Sequence, residues 1–294
     1  MKKLAKFLIP VFILVAFSAC EKDNVTTTDS LTSDDALVSA KIDLASDDVS
    51  NIVDQLFDDL NSNTITYRST ANDNSVFSNC ATITRVPAFG TVITPGTQVT
   101  KTIDFGTAGC QLNNGNIVKG KIIISFVYQP TAVSHTVTYT FDNFYHNNIK
   151  FVGTKTFTRT MTAATATTAP HPLVTMLLDM TITMPNGDVY TRVGSRTREL
   201  VEGFTTPQFA DNVYKITGNW TTTNPNGSVQ TATITTPLRA RMSCLAVNKP
   251  LLVFGVITFV KNNVTATLDY GNGDCDNTAV FTVNGNSYNI IIGN

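Results

Sequence analysis

The segments Thr136-Val-Thr-Tyr-Thr-Phe141 and Thr154-Lys-Thr-Phe-Thr-Arg-Thr-Met161 decide the fold. In both, threonine alternates with a different side chain, and a period of two places successive side chains on opposite faces of a β-strand. The rest of the 294-residue chain agrees, because it contains 47 threonines and only three glutamates. Threonine favours strands and glutamate favours exposed helices, so the composition predicts a mainly β protein.

Four Asn-Gly pairs separate strand-like segments, at residues 114–115, 186–187, 226–227 and 284–285. Asparagine and glycine tolerate the positive φ that tight hairpin turns require. About a dozen strand-like segments follow one another without a helical pattern between them, so neighbouring strands are expected to be antiparallel. The predicted domain covers residues 63–294 as one large antiparallel meander, built as a curved sheet, a sandwich or a partial barrel.

One amphipathic helix is predicted before the strands, within residues 34–62. Apolar residues recur there at spacings of three and four, which line one face of a helix. They are Val49, Ile52, Val53, Leu56, Phe57 and Leu60. Ser46 is the predicted N-cap, with Asp47 and Asp48 in the first turn and residues 35–45 as a preceding helical turn. We expect the apolar face to dock onto the sheet, and the alternative is a helix that binds a partner.

The first residues predict a lipoprotein signal peptide, residues 1–19. Three lysines precede the apolar run Phe7–Phe17, which is too short to span a bilayer and is followed by Ser18-Ala19-Cys20. Small residues before a cysteine match a bacterial lipobox, in which the thiol of Cys20 carries an acyl chain such as palmitate and anchors the chain to a membrane. The alternative is an ordinary secretory signal in which Cys20 has no special role.

Residues 20–33 are predicted to be an acidic tether between the anchor and the helix. Residues 21–60 contain eleven acidic and two basic residues, a net charge of −9. Residues 61–294 contain eleven acidic and sixteen basic residues, a net charge of +5. An acidic segment is repelled by phosphate backbones, so nucleic acid is not an expected partner.

The four remaining cysteines lie in two copies of one pattern, at about residues 80–129 and 244–294. Val99–Gly106 parallels Val264–Gly271, and in each copy a cysteine follows the aspartate by six positions. If the copies fold alike, the disulfides are Cys80–Cys110 and Cys244–Cys275, with separations of 30 and 31 residues. Two other pairings remain open, and a zinc site is disfavoured because no two cysteines are closely spaced.

The sequence offers no grouping that is typical of catalysis. His135, His146 and His171 are isolated from one another, and Glu199 with Glu202 follows a strand-like segment. The aspartates in the glycine-rich loop lack the spacing of an EF-hand calcium site: Asp269, Asp274 and Asp276. We therefore predict a protein that is not an enzyme and that has neither a cofactor nor a metal site.

Five arginines form the one notable charge pattern. Arg192, Arg196 and Arg198 lie on the same side of one strand by a period of two, and Arg239 and Arg241 lie on the same side of a later strand. Aligned like charges need facing acids or an anionic ligand. One interpretation is a solvated face balanced by Glu199 and Asp188. The other is an anion-binding surface for an envelope glycan or a lipid headgroup.

The chain resembles an uncharacterised Bacteroidota lipoprotein family. The resemblance rests on Lys119–Ile124, Thr140–Phe144, Gly153–Thr156, Arg196–Glu199 and Asp269–Asn277, and it extends over most of the chain after Cys20. It implies a secreted, β-rich lipoprotein and transfers no functional residue.

Together these features predict a non-catalytic envelope lipoprotein that is anchored in the outer membrane and faces the periplasm or the surface. It is expected to bind or scaffold another envelope component. The alternative is a periplasmic carrier or chaperone of amphiphilic molecules, which requires an apolar cavity between sheet and helix. A hydrolase would require a histidine that meets two carboxylates.

Overall fold

The computed structural model describes residues 30–61, 80–206 and 208–292, with the backbone alone for residues 55–61. The predicted signal peptide, Cys20 and most of the predicted tether lie outside these residues. The elements are α1 (Ser33–Asn61), β1 (Thr82–Val86), β2 (Gln98–Asp104), β3 (Cys110–Gln111), β4 (Ile117–Val127), β5 (Ser134–His146), β6 (Ile149–Met161), β7 (Pro172–Thr183), β8 (Val189–Glu202), β9 (Val213–Thr223), β10 (Val229–Arg241), β11 (Leu252–Lys261), β12 (Val264–Asn272), β13 (Thr278–Val283) and β14 (Asn286–Ile291), with two short 3₁₀ helices, Phe209–Asp211 and Met242–Val247.

All fourteen described strands belong to one antiparallel sheet. Each strand pairs with the next one along the chain, except that β2 pairs with β4 and the short β3 pairs with β4 alone. The predicted meander is confirmed, and the sandwich alternative is wrong because the described strands form a single sheet. The sheet does not close, so β1 and β14 are its edges. Every residue from Ile42 to Asp54 of α1 is buried, since the sheet curves around the helix.

The four predicted Asn-Gly turns are present, each between two paired strands. Two further tight turns use Asn147-Asn148 and Asn262-Asn263, where both asparagines have positive φ. All these turns lie at one end of the sheet, which we call the hairpin end. The connections between β1 and β2, β4 and β5, and β6 and β7 lie at the other end, which we call the loop end.

Glycines allow the sheet to bend tightly around the helix. A Cβ at Gly153 would lie 2.3 Å from the carbonyl oxygen of Asp179, and a Cβ at Gly218 would lie 2.3 Å from that of Ser195. Both glycines have positive φ, and neither position can hold a larger residue without moving the neighbouring strand.

The helix runs without a break from Ser33 to Asn61, so residues 35–45 are part of it and do not form a separate turn before it. Thr32 accepts a hydrogen bond from the backbone N–H of Asp35 through its hydroxyl, and the Asp35 carboxylate accepts one from the backbone N–H of Thr32. This reciprocal pair caps α1, so the prediction of an N-cap at Ser46 is wrong. Val49 and Ile52 are buried as predicted. The side chains of Leu56, Phe57 and Leu60 lie outside the described residues.

The two predicted disulfides, Cys80–Cys110 and Cys244–Cys275, are both present. The equivalence of the two copies extends to their turns. Asp104 accepts a hydrogen bond from the backbone N–H of Gly106 at 2.9 Å, and Asp269 accepts one from that of Gly271 at 2.9 Å. These aspartates therefore shape turns, as the repeat predicted.

Threonine is abundant because it covers the outer face of the sheet. One cross-strand row runs in register from β2 to β14 and consists largely of hydroxyl side chains. Its members are Thr100, Ser125, Thr138, Thr156, Leu177, Ser195, Asn219, Thr233, Thr258, Thr267, Thr282 and Ser287. Threonine stabilises a solvated strand face without adding a large apolar surface. The described part of the chain contains no helix that is long and apolar enough to cross a membrane.

Candidate functional site: a charged layer inside and an apolar tip outside

The three arginines of β8 point toward the helix. Arg192, Arg196 and Arg198 are each 1% exposed, which is far below the exposure expected for a solvated sheet face. The sequence-based placement of these three on a solvated or ligand-binding surface is therefore wrong. They lie at the centre of a charged layer between α1 and the inner face of the sheet.

Acidic and polar residues of α1 face the arginines. The Oδ1 atom of Asp43 accepts hydrogen bonds from Arg192 at 2.7 Å and from Arg196 at 2.5 Å. Arg198 donates to Asp54 at 3.0 Å and also to the side-chain oxygen of Asn51. Buried arginines without such partners would be very costly, so the acidic helix and the β8 arginines require each other.

Aromatic rings of β9 support the arginines from the sheet side. The guanidinium carbon of Arg196 lies 4.2 Å from the centre of the Trp220 ring, and that of Arg198 lies 3.5 Å from the centre of the Tyr214 ring. Gly194 pairs with Trp220, and a Cβ at Gly194 would lie 2.5 Å from the Cβ of Trp220. The stacked rings fix the positions of the guanidinium groups through cation–π contacts.

The other two predicted anion-binding arginines lie on the opposite, outer face. Arg239 lies 3.4 Å from Glu202, with both side chains about half exposed, and Arg241 donates to the carbonyl oxygen of Gly273 at 2.8 Å. The five arginines therefore do not share one surface. Neither Glu199 nor Asp188 balances the inner three, because the acids of α1 do so.

A second part of the charged layer surrounds Asp48. Its carboxylate accepts hydrogen bonds from Asn114 at 2.6 Å and Asn116 at 2.7 Å, and it lies 2.7 Å from Nε2 of His146. Asp48 and His146 are both 2% exposed. This network connects the middle of α1 to the turns at the hairpin end, so it fixes the position of the helix within the sheet.

Burial changes the acid–base properties of the layer. It raises the pKa of Asp47 from 3.8 to about 6, although Arg198 and Arg196 oppose this shift. It lowers the pKa of Lys155 from 10.5 to about 7, and the ammonium of Lys155 donates to the hydroxyl of Ser46 at 2.6 Å. The layer thus contains two groups that titrate near neutral pH.

Among the described residues, His146 and His171 each form a contact with one carboxylate, whereas a hydrolase site was expected to need two. His146 meets the single carboxylate of Asp48, and His171 meets that of Glu199 at 3.0 Å. The hydrogen bond to Glu199 raises the pKa of His171. The hydrogen bonds from His171 and Lys215 lower the pKa of Glu199. His135 lies at the start of β5, the strand that ends with His146. The described residues contain no group of three or more metal-ligating side chains, and Asp276 caps a turn through the backbone N–H of Thr278.

A cavity of about 170 Å³ opens at the hairpin end, beside Leu44, His146, Ile149 and Met184. Sites that enclose a ligand of moderate size usually measure roughly 300–1,000 Å³. This cavity is smaller than that range, so it gives little support to a carrier of amphiphilic molecules.

Exposed apolar side chains gather at the loop end of the described surface. We call this group the apolar tip, and its exposed side chains are Val86 (69%), Phe89 (42%), Val92 (87%), Val127 (43%) and Val133 (91%). They lie in or beside the β1–β2 and β4–β5 connections. The sequence analysis missed this feature, although the uncharged stretch of residues 86–100 was the signal that could have revealed it.

No protein-family model, curated protein or solved structure matches the chain. The resemblance to a Bacteroidota lipoprotein family therefore stays a prediction from the sequence.

Proposed function

We propose that the protein is a non-catalytic envelope lipoprotein that is anchored through acylated Cys20 in the outer membrane and binds another envelope component through its apolar tip. The lipobox before Cys20 and the two disulfides support an oxidising compartment outside the inner membrane. The protein would act as a binding or scaffolding module.

The apolar tip is the observation that carries the binding role. Monomeric proteins rarely leave several large apolar side chains exposed in adjacent loops unless these contact something. The inner arginines support no external ligand, because Arg192, Arg196 and Arg198 are already paired with α1 and buried. Of the five arginines, Arg239 and Arg241 are the two that an anionic glycan or headgroup could reach, which gives that version of the proposal less support.

Cell fractionation tests the anchor. Cys20→Ala should prevent acylation, so the protein should leave the membrane fraction or accumulate with its signal peptide uncleaved. A Cys80→Ala, Cys110→Ala double variant is the control for cysteine loss, because it should remain membrane-bound. Normal processing and membrane association of Cys20→Ala would contradict the lipoprotein proposal.

A further inference from the structure

We propose that the apolar tip inserts into a lipid bilayer and forms a membrane contact that is separate from the acyl anchor. This inference rests on the proposed function, since it names the envelope component that the tip binds. The tip would contact the hydrocarbon and the uncharged part of the lipid interface, and this contact would not require anionic headgroups.

The charge distribution favours this partner. Residues 86–100, 122–141 and 160–178 contain no Asp, Glu, Lys or Arg. With an average charged content of 15%, stretches of this combined length would contain about eight charges. The three stretches include the β1–β2, β4–β5 and β6–β7 connections, which are neighbours at the loop end. The charged residues of the loop end belong to its other connections, such as Asp211, Lys249 and Asp274. The part formed by these three connections can therefore enter hydrocarbon without the cost of burying an ion.

The tip is held in one shape by hydrogen bonds. Tyr128 donates from its backbone N–H to the carbonyl of Thr97, and Gly96 donates to the carbonyl of Tyr128, both at 2.8 Å. These bonds join the β1–β2 connection to the β4–β5 connection. The tip therefore presents its apolar side chains without the entropy cost of ordering a flexible loop on binding.

The nearest cation supports the loop from within. Arg85 donates to the carbonyl oxygens of Pro87 and Ala88 at 2.8 Å, and its guanidinium carbon lies 4.9 Å from the centre of the Phe89 ring. Its hydrogen bonds satisfy carbonyl groups that would otherwise be costly inside a membrane. Arg85 thus stabilises the loop and does not place a free charge at its end.

The shape of the tip favours a fluid partner over a protein pocket. Val92 and Val133 are 87% and 91% exposed and lie at the ends of two different loops. Two projecting aliphatic side chains provide little specificity for a folded protein, whose interfaces are usually rich in arginine and aromatic residues. Hydrocarbon accepts such side chains without a complementary surface.

The tip lies far from the place where the anchor joins the domain. Asp35, in the first turn of α1, lies 4.0 Å from Lys261, the last residue of β11 before the turn at the hairpin end. The helix therefore begins at the hairpin end, whereas the tip is at the loop end. Insertion of the tip would give the protein a second attachment point, which would fix the orientation of the sheet relative to a membrane.

Vesicle binding tests the proposal on a chain that starts at Glu21, contains every described residue and carries no acyl group. We expect it to co-sediment with neutral phosphatidylcholine–phosphatidylethanolamine vesicles, with little change on adding phosphatidylglycerol or 0.5 M salt. Val92→Asp with Val133→Asp should weaken partitioning by at least about tenfold, since burial of each valine contributes roughly that factor. Val247→Asp is the matched control, because Val247 is an exposed valine (56%) at the end of the 3₁₀ helix Met242–Val247, outside the tip.

A fluorescence probe gives an independent reading. The tryptophan introduced by Val92→Trp should shift its fluorescence emission to shorter wavelength when vesicles are added, whereas that of Val247→Trp should not. The native Trp220 is buried in both variants. Failure of the unaltered chain to bind vesicles would overturn the inference, as would equal binding by the tip variant. Concentration-dependent dimerisation that the tip variant abolishes, without vesicle binding, would assign the tip to a second copy. These outcomes leave the Cys20→Ala test of the anchor unaffected.

Discussion

The inner face of β8 and the loop end of the same sheet reverse the usual distribution of polarity. Arginines that are 1% exposed lie inside, and valines that are up to 91% exposed lie outside. The difference shows that burial here follows the available partners. The arginines are inside because α1 brings carboxylates to them, whereas the tip valines project from connections that no other element covers within the described part of the chain.

The charged layer also shows that α1 does more than bury apolar side chains against the sheet. Ile42, Leu44, Val49, Ile52 and Val53 are buried, and such side chains together contribute roughly 10 kcal/mol of apolar burial. The ion pairs add a specific register to this burial, because Asp43 can meet Arg192 and Arg196 together in only one position of the helix. We infer that the charged layer specifies where the helix sits and that the apolar contacts supply most of its stability.

Loss of Asp43 should give the largest effect. Asp43→Ala leaves Arg192 and Arg196 buried without their shared carboxylate, and breaking a buried ion pair costs about 3–5 kcal/mol. Urea denaturation followed by circular dichroism measures this loss of stability. Glu202→Ala is the matched control, since it breaks the half-exposed pair with Arg239 and should cost at most about 0.5 kcal/mol. Equal effects of the two variants would show that the inner pair does not position α1.

Much of the fold followed from the sequence by local rules. Alternation predicted the strands, Asn-Gly pairs predicted four turns, and the repeated Cys-Asp-Cys spacing predicted the pairing of Cys80 with Cys110 and of Cys244 with Cys275. The turns at Asn147-Asn148 and Asn262-Asn263 were missed because only Asn-Gly was taken as a signal, although asparagine also adopts positive φ.

The site was harder to predict, for a physical reason. Alternation shows that Arg192, Arg196 and Arg198 share a face, but it does not show which face is covered. Their partner Asp43 lies about 150 residues earlier in the chain, and no local pattern connects the two. Ser46 was mistaken for a cap because it precedes two acids, whereas its hydroxyl serves Lys155 inside the core.

The pH dependence of stability should report the charged layer with an intermediate effect. The pKa of Asp47 is about 6 in the folded protein and about 3.8 when unfolded, so the folded state keeps a proton that the unfolded state loses. Stability should therefore fall as the pH rises from about 4 to 6. Asp47→Asn should remove this contribution, on the order of 1–3 kcal/mol, in urea denaturation series at pH 4, 5 and 6.

Lys155 should make stability change with pH in the opposite direction and at higher pH. The pKa of Lys155 is about 7 when folded and 10.5 when unfolded, so its contribution to stability should grow as the pH rises from 7 to 10.

Glu202→Gln serves as the control for Asp47→Asn, because the Glu202 side chain is 55% exposed. A slope between pH 4 and 6 that is identical in the unaltered protein and Asp47→Asn would contradict a buried, titrating Asp47.

The smallest effect on stability is expected at the tip. The same change, valine to alanine, is compared at the exposed Val92 and at the buried Val99. Val99→Ala, on β2, removes methyl groups from a side chain that is 0% exposed, and it should cost roughly 2 kcal/mol. Val92→Ala removes the same atoms from a side chain that is 87% exposed, and it should change stability by less than about 0.5 kcal/mol. Thermal and urea denaturation of both variants measure the difference. A large loss for Val92→Ala would mean that Val92 packs within the domain and is not available for insertion. A negligible change, combined with weaker vesicle binding, would place the contribution of Val92 outside the fold and in the contact with lipid.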